Sequence, residues 1–139
     1  MAITIDTHDL PPSADAAVVD AGLGRANDAA APLHEVRPLG CFARDAAGAV
    51  IGGAVGRTWG TCCELQQLWV DPAFQRQGIA TRLVHAFEAR AGARGCRTFF
   101  LETFSFQAPA FYRKLGYVTA HESATYPHGI SKHLMRKDR

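Results

Sequence analysis

Leu68-Trp69-Val70-Asp71-Pro72-Ala73-Phe74-Gln75-Arg76-Gln77-Gly78-Ile79-Ala80-Thr81-Arg82-Leu83-Val84 decides how this chain folds. Its first three residues close a strand that begins at Cys62, Asp71-Pro72 stops that strand, and a loop through Phe74 leads to Gly78. From there Ile79, Leu83, Phe87 and Ala91, with Ala80 and Val84, recur at the spacing of a helix with one apolar face. The stretch reads as strand, short loop, helix. A loop folded onto a helix start presents several unpaired backbone N–H groups to one point, where the helix dipole also favours negative charge. Gly78 permits positive φ or close approach of a ligand, and Ala80 is too small to obstruct it. Thr81 adds a hydroxyl, Arg76 adds charge, and a pyrophosphate fits the turn. Any strand-to-helix turn can contain a glycine, so the turn needs its context.

Upstream, Leu65, Leu68 and Val70 do not keep strict alternation along residues 62–70, as in a strand carrying a bulge. A turn at Trp59-Gly60 joins that strand to residues 49–58, and Asp45-Ala46-Ala47-Gly48 joins those to residues 37–44, giving successive hairpins. Residues 3–5 are expected as a short first strand, which makes 62–70 the fourth. Ser13 and Asp15 are expected to cap a helix over residues 14–25, ended near Gly22 or Gly24. Downstream, Gly92 and Gly95 end the central helix, and residues 98–103 read as a buried strand. Residues 108–115 read as a short helix closed by Gly116, and strands near Val118 and over residues 131–135 finish the sheet.

With 139 residues, of which 47% are hydrophobic and 20% charged, the chain is expected to form one globular domain over residues 1–139. The first residues lack the basic and apolar regions of a leader, and no stretch reaches ~18 uninterrupted apolar residues, so a cytoplasmic protein with no membrane partner is expected. Cys41, Cys62, Cys63 and Cys96 show no CxxC or Cys/His ligand spacing, so buried free thiols and no metal site are expected. The formal charge of +2 is uneven. Acidic residues dominate the first thirty-five positions, whereas Arg76, Arg82, Arg90, Arg94, Arg97 and their successors favour an anionic ligand on the C-terminal half. Basic residues are not interleaved with aromatics in any recognisable module, so no nucleic-acid partner is expected.

Residues 68–84 resemble motif A of the GCN5-related N-acetyltransferase (GNAT) superfamily. Further on, Ala108-Pro109-Ala110-Phe111-Tyr112-Arg113-Lys114-Leu115-Gly116-Tyr117 resembles its motif B. The resemblance implies an α/β (α+β) GNAT fold, a mixed, mostly antiparallel central sheet splayed at the fourth strand and flanked by helices. It implies acetyl-CoA as acyl donor. Its pantetheine arm would lie beside Leu68, Trp69 and Val70 and its pyrophosphate on Gln75, Arg76, Gln77, Gly78, Ile79, Ala80 and Thr81. The N–H of Leu68 or Trp69 would meet the thioester oxygen. Many relatives carry asparagine before the motif B helix; here Thr103-Phe104-Ser105-Phe106-Gln107 stands there, leaving Ser105 or Gln107 to supply a polar contact.

The resemblance also assigns catalysis. An alkyl amine of pKa ~10.4 must give up its proton at a cost of about 4.6 kcal/mol at pH 7. Glu64, six residues before Val70, stands where a glutamate serves as base in the histone-modifying branch. It would act directly or through one water; the alternative is a carboxylate that only pairs with an arginine. Tyr112 matches the tyrosine that protonates the departing thiolate; the alternative is core packing. His128 could line an acceptor pocket but reads as an ordinary surface histidine, and Trp59, Trp69, Phe104 and Phe106 as acceptor walls or core. The expected function is transfer of an acetyl group from acetyl-CoA to a primary amine of a small molecule or peptide, by direct attack in a ternary complex. The competing reading is a non-catalytic acyl-CoA-binding or sensing module. A dinucleotide fold is disfavoured because the G-x-G-x-x-G elements are absent. The acidic N-terminal segment suggests a cationic acceptor, and dimers are common among proteins of this kind.

Overall fold

The computed structural model describes residues 2–139 as two compact units, one ending at Glu35 and the other Val36–Arg139. The first unit holds α1 (Ser13–Ala30) and a 3-10 turn at Leu33–Glu35. No residue of α1 is buried. The strand expected at residues 3–5 does not form: Ile3 and Ile5 lie outside any pairing and are almost fully exposed. A strand gains its hydrogen bonds only from a neighbour, and three alternating residues do not specify one. α1 also runs past Gly22 and Gly24. Each glycine costs roughly 1 kcal/mol against alanine, yet Ala26, Ala29 and Ala30 are the best helix formers. The helix stops where Ala31 turns extended (φ −146°, ψ 154°), as the residue before Pro32 must. The expected cap is not made, since Pro12 stands at the N-cap with no side-chain bond.

In the second unit, β1 (Arg37–Arg44), β2 (Val50–Trp59) and β3 (Cys62–Val70) form the expected hairpins. α2 (Ile79–Ala93) then crosses to β4 (Thr98–Phe104), α3 (Pro109–Lys114) follows, and β5 (Val118–Ser123) and β6 (Lys132–Asp138) complete a sheet of order β1-β2-β3-β4-β6-β5. Every neighbouring pair is antiparallel except β3 with β4. Leu83, Val84, Phe87 and Ala91 of α2 bury against Leu39, Ala54, Cys63, Leu65, Phe99, Leu101 and Met135 of the sheet, with Tyr112 and Tyr117 in the same core. β4 alternates instead of being buried throughout. Phe99, Leu101 and Thr103 point into the core; Phe100, Glu102 and Phe104 point to the opposite, more open face.

A bulge and a buried carboxylate set the shape of this sheet. The expected bulge is present: Val55 pairs with Gln67 and Gly56 with Leu65, leaving Gln66 as the extra residue on β3. That extra residue lets Leu65, Leu68 and Val70 all turn toward the core although their numbering breaks alternation. Opposite the bulge, a Cβ on Gly56 would stand 1.9 Å from the Glu64 carbonyl oxygen, so only glycine fits. Behind the core, the Glu88 carboxylate is fully buried. It accepts from the Tyr117 hydroxyl (2.7 Å), Lys137 Nζ (2.9 Å) and Arg139 Nη2 (2.8 Å), clasping α2 to β6. A charge there is tolerable only because it is paired on all sides.

Candidate active site

Parallel pairing of β3 with β4 runs from Cys62–Thr98 to Leu65–Leu101 and ends there, at the bulge. Beyond it the two strands part. A cleft of about 460 Å³ follows Leu68, Trp69 and Val70 to the turn of Gln75, Arg76, Gly78, Ile79, Ala80 and Thr81, with Ala108 and Phe111 as its other wall. A second cavity of about 260 Å³ is the slit itself, between residues 65–68 of β3 and Glu102 and Thr103 of β4, with Gln107, Ala108 and Tyr112 beside it. Leu68 and Ala108 line both, so cleft and slit adjoin.

Backbone groups face this space. The Asp71 N–H donates to the Ile51 carbonyl at 2.7 Å, toward β2. Because strand groups alternate, Val70 and Leu68 turn their N–H and C=O away from β2 and toward the slit, whereas Trp69 faces its partner Gly53. Of the two N–H groups considered from the sequence, that of Leu68 points the right way. The Gln75 side-chain amide donates to the Val70 carbonyl at 3.2 Å, which ties the loop to the strand.

At the turn, Gly78 has φ 75°, as its residue type suggested, and no protein atom lies within 4 Å of where a Cβ would stand. The first helical bond runs from Arg82 N–H to the Gly78 carbonyl, so the N–H groups of Ile79, Ala80 and Thr81 precede the ladder and have no partner within it. Arg76 also adopts positive φ (63°), which nothing in its residue type announces. A non-glycine residue held there costs roughly 1–2 kcal/mol, and such strain gathers at binding turns. Open backbone donors, a helix start and an exposed arginine fit the pyrophosphate of an acyl-CoA. Four cations near the C-terminus are already engaged: Lys132 pairs with Glu102, Arg136 with Asp138, Lys137 and Arg139 with Glu88.

Tyr112 is 8% exposed, and its ring sits edge-on to Phe111 and Tyr117. Its hydroxyl makes no hydrogen bond within the protein and is not sealed from solvent. The buried ring therefore presents an open O–H at the slit. Burial pushes its pKa up to about 12, so the phenol stays protonated at any ordinary pH.

Glu64 lies on the sheet face opposite α2, where Arg57 Nε donates to it at 2.9 Å. It does not line the slit. The Ser105 hydroxyl accepts from the Ser131 N–H (3.0 Å), and the Gln107 side-chain oxygen accepts from the Phe104 N–H (2.8 Å). Both brace the loop before α3, with Gln107 alone reaching the slit. Gln77 lies in the turn outside the cleft lining, and His128 is exposed with φ 61°. Thr103, Glu102, Ala108 and Phe111 were not anticipated as lining residues. Register with the splayed strand places the first two, but nothing in their residue types signals it. The four thiols are free; Cys41 and Cys62 are half-buried rather than buried, and burial pushes Cys63 up to about 12. Among the described residues no cluster of His, Cys, Asp or Glu could hold a metal, and no helix is long and apolar enough to cross a membrane.

The sequence profile of the acetyltransferase (GNAT) family matches residues 10–117. A blasticidin-S acetyltransferase of Streptomyces morookaense is 39% identical over 111 residues, 77% of this chain and 82% of that protein. The crystal structure of an acetyltransferase from Bacillus cereus superposes with a TM-score of 0.77 at 25% identity, over 96% of this chain and 98% of that one. A crystal structure from Agrobacterium tumefaciens has the same fold, with a TM-score of 0.82 at 24% identity over 99% and 100% of the two chains. The chain therefore belongs to the acetyltransferase (GNAT) family and is an acyl-CoA-dependent N-acetyltransferase.

Proposed function

We propose that the chain, as a single cytoplasmic domain over residues 1–139, transfers acetyl from acetyl-CoA to a primary amine of a small molecule by direct attack in a ternary complex. The observation that carries this reading is the open Tyr112 hydroxyl at the slit, at the far end of a cleft that starts from the helix-start turn. The resemblance to a blasticidin-S acetyltransferase favours a small-molecule acceptor over a peptide.

Acetyl-CoA supplies the activated thioester. The N–H groups of Ile79, Ala80 and Thr81, with Gly78, Gln77 and the Arg76 charge, hold its pyrophosphate. The Leu68 carbonyl and the Val70 N–H face the arm's amides, and the Leu68 N–H steadies the negative charge that develops on the acyl oxygen. Gln107 offers a further polar contact from the slit wall, with Ser105 bracing its loop. Glu64 takes the ammonium proton, directly or through one water, from the face opposite the cleft; its bond to Arg57 fixes where the carboxylate points. Tyr112 donates a hydrogen bond to the departing sulfur. Most of the acceleration comes from holding amine and thioester together in the slit.

Titration calorimetry of acetyl-CoA and CoA, followed by thiol release with a panel of primary amines including blasticidin S, tests the reading. Binding with amine-dependent release supports it. Absence of binding removes the turn from the mechanism, and binding without release from any amine removes the acceptor class.

A further inference from the structure

On the sheet face opposite α2, beside the slit, the end of β4 carries an aromatic shelf. Phe104 and Phe106 stack with centroids 5.3 Å apart and planes 9° from parallel, and Tyr126 stands edge-on to Phe104 at 5.4 Å and 81°. Phe106 is 67% exposed, and it adjoins Gln107, which lines the slit. The loop does not depend on Phe106 for its shape. Ser105 exchanges hydrogen bonds with Ser131 through its N–H and its hydroxyl, and Phe104 and Gln107 bond each other in both directions. A rigid loop thus holds a large ring in water, a position that burial by a ligand would improve. Beside the stack, the Glu102 carboxylate and the Lys132 ammonium lie 2.7 Å apart, with Lys132 5.7 Å from the Phe104 ring centre. They present a hydrogen-bond acceptor and a donor side by side.

We infer that this shelf is a specificity subsite for an acceptor that carries a flat heteroaromatic ring as well as the amine; the inference rests on the acetyl-transfer reading of the slit. The ring continues the stack on the free face of Phe106, and its polar edge meets the Glu102–Lys132 pair. An aliphatic group could use any apolar surface. A two-layer stack bordered by a paired donor and acceptor suits a ring with both π faces and a polar edge.

The test compares two amines of similar reach, 9-(3-aminopropyl)adenine and 3-cyclohexylpropylamine, with wild type, Phe106→Ala and Phe106→Trp. Thiol release gives kcat/KM, and calorimetry gives Kd for each amine. The expected result is a wild-type preference of roughly tenfold for the adenine amine, the scale of one base stacked on one aromatic ring. Phe106→Ala lowers that ratio at least fivefold, through KM and Kd rather than kcat, and Phe106→Trp retains it. A wild-type ratio near one, or a ratio unchanged in Phe106→Ala, overturns the inference. If neither amine is acetylated, the acetyl-transfer reading is decided by the wider amine panel, and the Kd ratios still decide the subsite: a preference that depends on Phe106 supports it, and equal binding of the two amines overturns it.

Discussion

Replacing Tyr112 with phenylalanine separates two ways in which a phenol can help a thiolate leave. With its pKa raised to about 12 by burial, Tyr112 lies about 3.5 pKa units above an ordinary thiol at ~8.5, so completed proton transfer is uphill by roughly 5 kcal/mol. Delivery of the proton is therefore not the main contribution. A hydrogen bond donated to a charged sulfur is worth about 1.5–3 kcal/mol, which sets the expected loss of kcat in Tyr112→Phe at roughly tenfold to a hundredfold. Because the hydroxyl has no partner inside the protein and the ring stays packed on Phe111 and Tyr117, stability should change by no more than about 0.5 kcal/mol. The assay is thiol release at saturating amine across pH 6 to 10.5, with thermal melting as the control. Wild type should show no descending limb from this tyrosine within that range, since its titration lies above it. A loss of kcat below threefold would refute the donor role. So would a wild-type limb near pH 10 that vanishes in the variant, because the phenol would then titrate at its ordinary value.

The packing carries further predictions. Gly56→Ala sets a Cβ 1.9 Å from the Glu64 carbonyl and 2.9 Å from the Phe87 ring, and should destabilise by roughly 3 kcal/mol; a urea midpoint giving less than 1 kcal/mol would contradict the close approach. Glu88→Ala leaves Tyr117, Lys137 and Arg139 without their shared acceptor and should cost about 3 kcal/mol by the same measurement. Alkaline stability follows from Cys63, whose thiol rises from 9.0 to about 12 on folding. The unfolded thiol loses its proton first, so the unfolded state binds fewer protons and stability falls as pH climbs from about 9 toward 12. Between pH 8 and 10.5 this one group should remove about 2 kcal/mol, and Cys63→Ala should flatten that part of the curve; an unchanged slope would show that the thiol is not the cause.

How much could be read from residue types depends on how local the cause is. Gly78, the α2 stripe and the broken alternation of Leu65, Leu68 and Val70 each report a neighbour within a few positions, and each appears in the structure as expected. Residues 3–5 alternate correctly but lack anything to pair with, and the run of alanines after Gly24 outweighs two glycines. Glu88 falls on the buried stripe of α2, yet a carboxylate reads as solvent-facing until the cations at the end of β6 and just after it, about fifty residues later, are known. The slit is partly legible. Tyr112 belongs to a short motif, but Thr103 and Glu102 enter only because pairing with β3 stops one residue earlier. The pairing of Glu64 with Arg57 follows from their facing positions in the β2–β3 hairpin, a register set by a turn at Gly60-Thr61, one residue beyond the Trp59-Gly60 turn expected from the sequence.

The bulge at Gln66 also bears on how such a protein can arise. Without that residue, 65, 67, 68, 69 and 70 would alternate regularly, and β3 could stay hydrogen-bonded to β4 as far as Phe104. Every backbone group now turned to the slit would then be spent on the neighbouring strand. A closed sheet and an open one thus stand a single codon apart, and an insertion of one amino acid creates the cavity without redesigning either face. The same economy makes the opening fragile: a one-residue deletion in this strand, harmless to the apolar pattern, would seal it.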